Sequence, residues 1–175
     1  GLAVADRIED PDIEAIATAA ARALDVTNLD ADRLVGAETG VLASRVAVFA
    51  GVRAALFAAQ RDFATQDGGA VLDGRDIGTT IAPEADAKLF IIADPQVRAE
   101  RRARQLTERG TPVDIAVLRE QIEARDARDA AAPHGGFHPA DDALLLDTSD
   151  LDIEAAIKAA IAKVEAAIAR KAASL

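Results

Sequence analysis

The residues of this chain best suited to chemistry are Arg75 and Asp76. They sit in Asp73-Gly74-Arg75-Asp76-Ile77-Gly78-Thr79, directly after the apolar run Ala70-Val71-Leu72. An arginine presents a planar fork that grips a phosphate at two points, and a carboxylate beside it accepts a hydrogen bond from an exocyclic amine. Gly74 and Gly78 would let the backbone turn tightly and come close to a ligand. An Asp/Gly turn carrying a surface ion pair is the other reading of the same residues.

A second constellation is Arg125-Asp126-Ala127-Arg128-Asp129. On a helix, Arg125 and Asp129 (i, i+4) share a face, with Asp126 beside Asp129 (i, i+3). The segment reads either as an anion- and sugar-binding patch or as a solvated ion-pair ladder. Upstream lies an arginine-rich stretch containing Arg98, Arg101, Arg102, Arg104 and Arg109. His134 and His138 flank Gly135-Gly136-Phe137, but no further ligands lie nearby and a metal site is not expected there.

The elements that must position these groups follow from composition and pattern. At 175 residues the chain suits one domain. It is 50% hydrophobic but only 3% aromatic, so the core is expected to rest on Leu, Ile, Val and Ala, with Phe49, Phe57, Phe63 and Phe90 as its bulky members. With no Cys there is no disulfide framework and no thiol chemistry. No apolar run reaches the length of a membrane span, and a cytoplasmic protein without membrane contact is expected. The net charge of −10 argues against a nucleic-acid partner. Between Arg98 and Asp129, however, eight arginines face seven carboxylates, so positive charge is concentrated where a small anion would be held.

Helical periodicity is predicted over 11–24 and 41–64. Residues 70–73 read as a short buried strand and 88–93 as the clearest strand, apolar on both faces as in a parallel sheet. Helices are predicted over 95–109, closed by Gly110, and over about 114–130. A loop over 133–139 leads to a strand at 144–146. A final helix over 152–172 carries Ile153, Ile157, Ile161, Val164 and Ile168 on one face. The alternation implies an α/β parallel sheet flanked by helices.

In this order the motifs resemble a nucleoside monophosphate kinase, and their wording is similar to bacterial-type cytidylate kinases. The resemblance rests on GRDIGT at 74–79, followed by IAPEADAKLFI, then RAERRARQL at 98–106, RDARD at 125–129 and ADDALLLDTS at 140–149. SRVAVFAGVR at 44–53 lies upstream. It covers about residues 40–160. It implies a P-loop kinase-like sheet in one domain spanning 1–175, with nucleotide-binding helices over 1–66, a core over 67–94 and 140–175, and a lid over 95–139. The implied reaction moves a phosphoryl group from ATP, with Mg²⁺, to CMP or dCMP, in a monomer. Ser44, Arg53 and Asp76 would surround the cytosine and Arg75 would hold the phosphate. Arg125 and Asp129 would meet sugar and phosphate, and Arg101, Arg102, Arg104 and Arg128 are lid candidates for the transferring group. No metal ligand is assigned.

Two departures stand out. Nothing here matches G-x-x-x-x-G-K-[ST], and the resemblance implies a central strand and phosphate loop ahead of these residues. The chain also lacks Met and opens on Gly1-Leu2-Ala3-Val4-Ala5, which reads like a helix interior. It is therefore expected to start inside a longer protein and to fold poorly alone, its sheet edges unpaired. Second, Ala132 stands where the family carries an arginine near the base. That keeps open a kinase with another preference, such as UMP, beside a non-catalytic nucleotide-binding module.

Overall fold

The computed structural model describes residues 2–25, 37–131 and 138–173. The loop residues Ala132 and His134 lie outside the described residues. The chain divides into two compact units, Gly1–Val71 and Leu72–Leu175.

The first unit is helical. The opening residues, expected as a helix interior, form a 3₁₀ turn over Leu2–Arg7 broken at Val4 (φ −129°, ψ 16°). α1 (Ile13–Arg22) follows. The single helix expected over 41–64 is two, α2 (Ala37–Val46) and α3 (Ala50–Ala64), parted where Phe49 turns extended (φ −74°, ψ 125°). Burial explains the break: Val46 and Val52, on either side of it, both reach one core with Val4 and Ala17. Phe49 packs against that core, whereas Phe57 and Phe63 are 42% and 44% exposed, contrary to expectation. α1 and α3 approach closely at Gly51, where a methyl group would lie 2.5 Å from Thr18 Oγ1.

The second unit is built on two parallel strands, β1 (Leu89–Ile92) and β2 (Leu144–Asp147), in register from Leu89 opposite Leu144 to Ile92 opposite Asp147. The stretch 70–73 is not a strand: no described neighbour supplies a ladder, and Val71 is 93% exposed. α4 (Pro95–Glu108) leaves β1 with Asp94 as its cap, the carboxylate accepting from Gln96 N at 2.8 Å and Pro95 fixing the first turn. Gly110 (φ 81°) ends it, and Thr111 N donates to Leu106 O at 2.9 Å to close the turn. α5 (Ile115–Ala130), capped by Asp114, packs on α4. α6 (Ile153–Ala172), capped by Asp152, packs on both strands.

The apolar stripe of α6 is largely uncovered. Ile153, Ile157, Ile161 and Ile168 are each about half exposed or more, because a two-stranded sheet is too narrow to cover a twenty-residue helix. Burial in this unit falls instead on Ile81, Ala82, Ala99, Ala103 and Leu146. Among the described residues no helix is long and apolar enough to cross a membrane.

Candidate functional site

The loop 74–79 runs into a single π-type turn, Ile77–Ile81, in which Thr80 N and Ile81 N both donate to Asp76 O. Neither Gly74 nor Gly78 has a positive φ. They provide room instead: a methyl at Gly74 would meet the Ile77 side chain at 2.8 Å, and one at Gly78 would press on Lys88 at 3.2 Å. The turn holds Arg75 and Asp76 half-buried, and the Asp76 carboxylate has no partner among the described residues.

Arg75 reaches α5 and ion-pairs with Asp129, both side chains about one-third exposed. Burial, reinforced by the positive charge of Arg125, holds the Arg75 guanidinium below its ordinary pKa, with Asp126 working in the opposite direction. One turn before Asp129, Asp126 is gripped from α4 by Arg98 at two points, 2.5 and 3.2 Å. A loop and a helical hairpin thus bring Arg75, Arg98, Arg125, Asp126 and Asp129 into one cluster.

The remaining lid candidates differ in their engagement. Arg101 donates to Thr148 O at 2.6 Å, Leu151 O at 3.0 Å and Thr148 Oγ1 at 3.2 Å. Thr148 is itself buried and donates through N and Oγ1 to Ile92 O, so Arg101 fastens α4 to the end of the sheet. Arg102 and Arg128 are exposed and, among the described residues, have local partners only, Gln105 and Ala124 O, and Arg104 is exposed. In the first unit Ser44 lies exposed on α2. Arg53, also exposed, folds back onto Val48 O at 2.6 Å and Ala47 O at 3.0 Å, the carbonyls freed by the break between α2 and α3.

At the C-terminal edge of the strands, Ser149 links the two connections, donating to Asp147 Oδ1 and accepting from Asp94 N. The Ser149 hydroxyl and the Ser149 backbone N–H both donate to Asp147 Oδ1 and hold the Asp147 carboxyl below its usual range. A separate cleft of about 540 Å³, lined by Pro83, Asp86, Asp142 and Lys171 among others, includes none of the individual substrate-binding or lid residues named from the sequence. Among the described residues no cluster of His, Asp and Glu suits a metal ion. From sequence Arg98 figures only within the arginine-rich stretch and Thr148 only within the 140–149 motif, neither with a role of its own, and no spacing signal marks either role, because their partners lie on other elements.

A parallel strand pair feeding capped helices at its C-terminal edge defines an α/β protein of the kind that meets its ligands at that edge. The family model described as cytidylate kinase matches residues 3–166. A cytidylate kinase of Xanthobacter autotrophicus is 56% identical over 153 residues, covering 87% of this chain and 74% of that protein. Those of a Caulobacter species and of Methylocella silvestris are 48% and 50% identical, over 97% and 86% of this chain and 79% and 70% of their own lengths. The chain belongs to the cytidylate kinase family.

Proposed function

We propose that the protein transfers the γ-phosphoryl group of ATP to CMP or dCMP, giving (d)CDP and ADP. A phosphate oxygen of the nucleotide attacks the γ-phosphorus and the bond to the β-bridging oxygen breaks. Such transfers need positioning and charge stabilisation and no covalent protein intermediate. The observation that carries the reading is the meeting of Arg75 with Asp129, which joins the two motifs most specific to the family.

In this reading Arg75 grips the CMP phosphate, its partial burial strengthening the attraction. Asp129 turns to a ribose hydroxyl, and Arg125 serves sugar and phosphate. Asp76, half-buried and without a protein partner among the described residues, accepts from the cytosine amine. A site that hydrogen-bonds a base edge also rejects analogues that leave its polar groups unpaired. Ser44 is assigned to the ring-nitrogen edge and Arg53 to the carbonyl side. Arg102, Arg104 and Arg128, exposed and without a partner on another element among the described residues, can turn toward the transferring group, while the bonds of Arg101 suit it to holding the lid helix. Magnesium accompanies ATP in this reading, and among the described residues no group of three or more His, Asp or Glu side chains could hold the ion without the nucleotide's phosphates.

The test is a coupled ADP-release assay on the full-length protein with CMP, dCMP, UMP and AMP. Rapid turnover confined to CMP and dCMP, abolished in Asp76→Ala, is the expected result. CMP binding without ADP release would sink the enzyme reading and leave a nucleotide-binding module.

A further inference from the structure

The two carboxylates of the cluster are one helical turn apart on α5, so a cation that reaches one can reach the other. Two arginines approach them from different elements: Arg98 from α4 takes Asp126, and Arg75 from the loop takes Asp129. Arg98 has little choice of partner. Both its terminal nitrogens are on Asp126, and its Nε is buried with no hydrogen-bond partner among the described residues.

We propose that Asp126 is a positioning residue: by holding Arg98 at two points it keeps that arginine off Asp129, and so reserves Asp129 for Arg75 and for the substrate. The proposal rests on the reading of Arg75 and Asp129 given above. Without Asp126, Arg98 keeps its charge and a partly desolvated stem, and the carboxylates one turn away on α5 are Glu123, already held by Arg119, and Asp129. Arg75 then loses its partner and its orientation. Geometry of this kind matters in catalysis because small misplacements of a binding group carry large rate penalties.

This makes a prediction that a simple structural strut would not. A strut removed from both sides leaves the protein at least as impaired as removal from one side. Here the second deletion should help, because it removes the competitor. In the full-length protein, Asp126→Ala is expected to lower kcat/KM for CMP about tenfold, a size ordinary for coupled neighbours. Arg98→Ala should cost less, and Arg98→Ala/Asp126→Ala should return to the level of Arg98→Ala alone. Asp126→Glu, which keeps the charge, should retain most of the activity.

A readout independent of turnover separates this idea from the functional reading. In nucleotide-free protein, the Arg75 side-chain ¹⁵N resonances should shift in Asp126→Ala and return toward their original positions in the double variant. A double variant as impaired as Asp126→Ala, with Arg75 signals equally displaced, overturns the proposal. If the parent protein phosphorylates no nucleotide but the Arg75 signals move and return as described, the functional reading fails and the positioning role stands.

Discussion

Arg75 and Asp129 form an ion pair between a glycine-flanked loop and the last turns of a helix, far apart in sequence and both only partly exposed. The arginine proposed to receive a phosphate is therefore already occupied by a carboxylate. Substrate binding becomes an exchange of one anion for another at the same guanidinium.

Arg75→Lys tests the geometry of that exchange. Lysine keeps the charge but loses the planar fork. The loss of one charge-assisted hydrogen bond implies a rise in KM for CMP of about tenfold or more, with thermal stability nearly unchanged. Steady-state kinetics beside a melting curve reads both.

Arg101 and Arg102 are neighbours in sequence with opposite expected behaviour. Arg101→Ala strips donors from Thr148 O and Leu151 O and should cost about 1–3 kcal/mol of stability. For a chain of this size that is about 2–4 °C in Tm for each kcal/mol. Arg102→Ala touches only Gln105 and should leave Tm in place while lowering kcat. Calorimetry and turnover on the two variants separate the roles.

Gly51→Ala places a methyl against Thr18, whose Oγ1 and Cγ2 would lie at 2.5 and 2.8 Å. Rotating Thr18 only exchanges one γ atom for the other. Overpacking of about 1–3 kcal/mol outweighs the gain of about 1 kcal/mol in helix propensity. A net loss is expected, restored by the further change Thr18→Ala, and urea unfolding of the three variants checks it.

Acid sensitivity follows from Lys88, whose side chain is only 8% exposed and whose ammonium binds Asp142 and the carbonyl of Pro83. The hydrogen bond from Lys88 holds the Asp142 carboxyl below its ordinary value of 3.8. A depressed carboxylate contributes stability above its unfolded pKa, and that contribution is lost as pH falls through the lower folded value. Asp142→Asn should therefore be less stable than the parent near neutrality and lose less on acidification below about pH 4. Unfolding free energies measured from pH 7 to pH 2 decide it.

Much of this was legible in the residues. Helical periodicity located α1, α4, α5 and α6 to within a residue or two, and the apolar runs at 88–93 and 144–146 are strands. The motifs carried the family. What pattern could not show was dependence on partners. Residues 70–73 have the composition of a strand, but a strand exists only where another backbone offers it a ladder. The break at Phe49 is invisible to periodicity because apolar residues continue through it. Phe57 and Phe63 are bulky apolar residues in a helix yet are 42% and 44% exposed, since side-chain type marks a residue for a core without saying what covers it. The grip of Arg98 on Asp126 depends on how α4 and α5 cross, which neither segment encodes alone.

The isoleucines left open along α6 have a thermodynamic consequence. Apolar surface that is wet before unfolding adds nothing to the heat-capacity change when the chain comes apart, and little to the slope of a denaturant titration. Among the described residues no large side chain is fully buried. The heat-capacity increment of this chain should accordingly fall below the usual value of about 12–15 cal/mol/K per residue. Its stability curve should be correspondingly flat, changing little between cold and warm conditions.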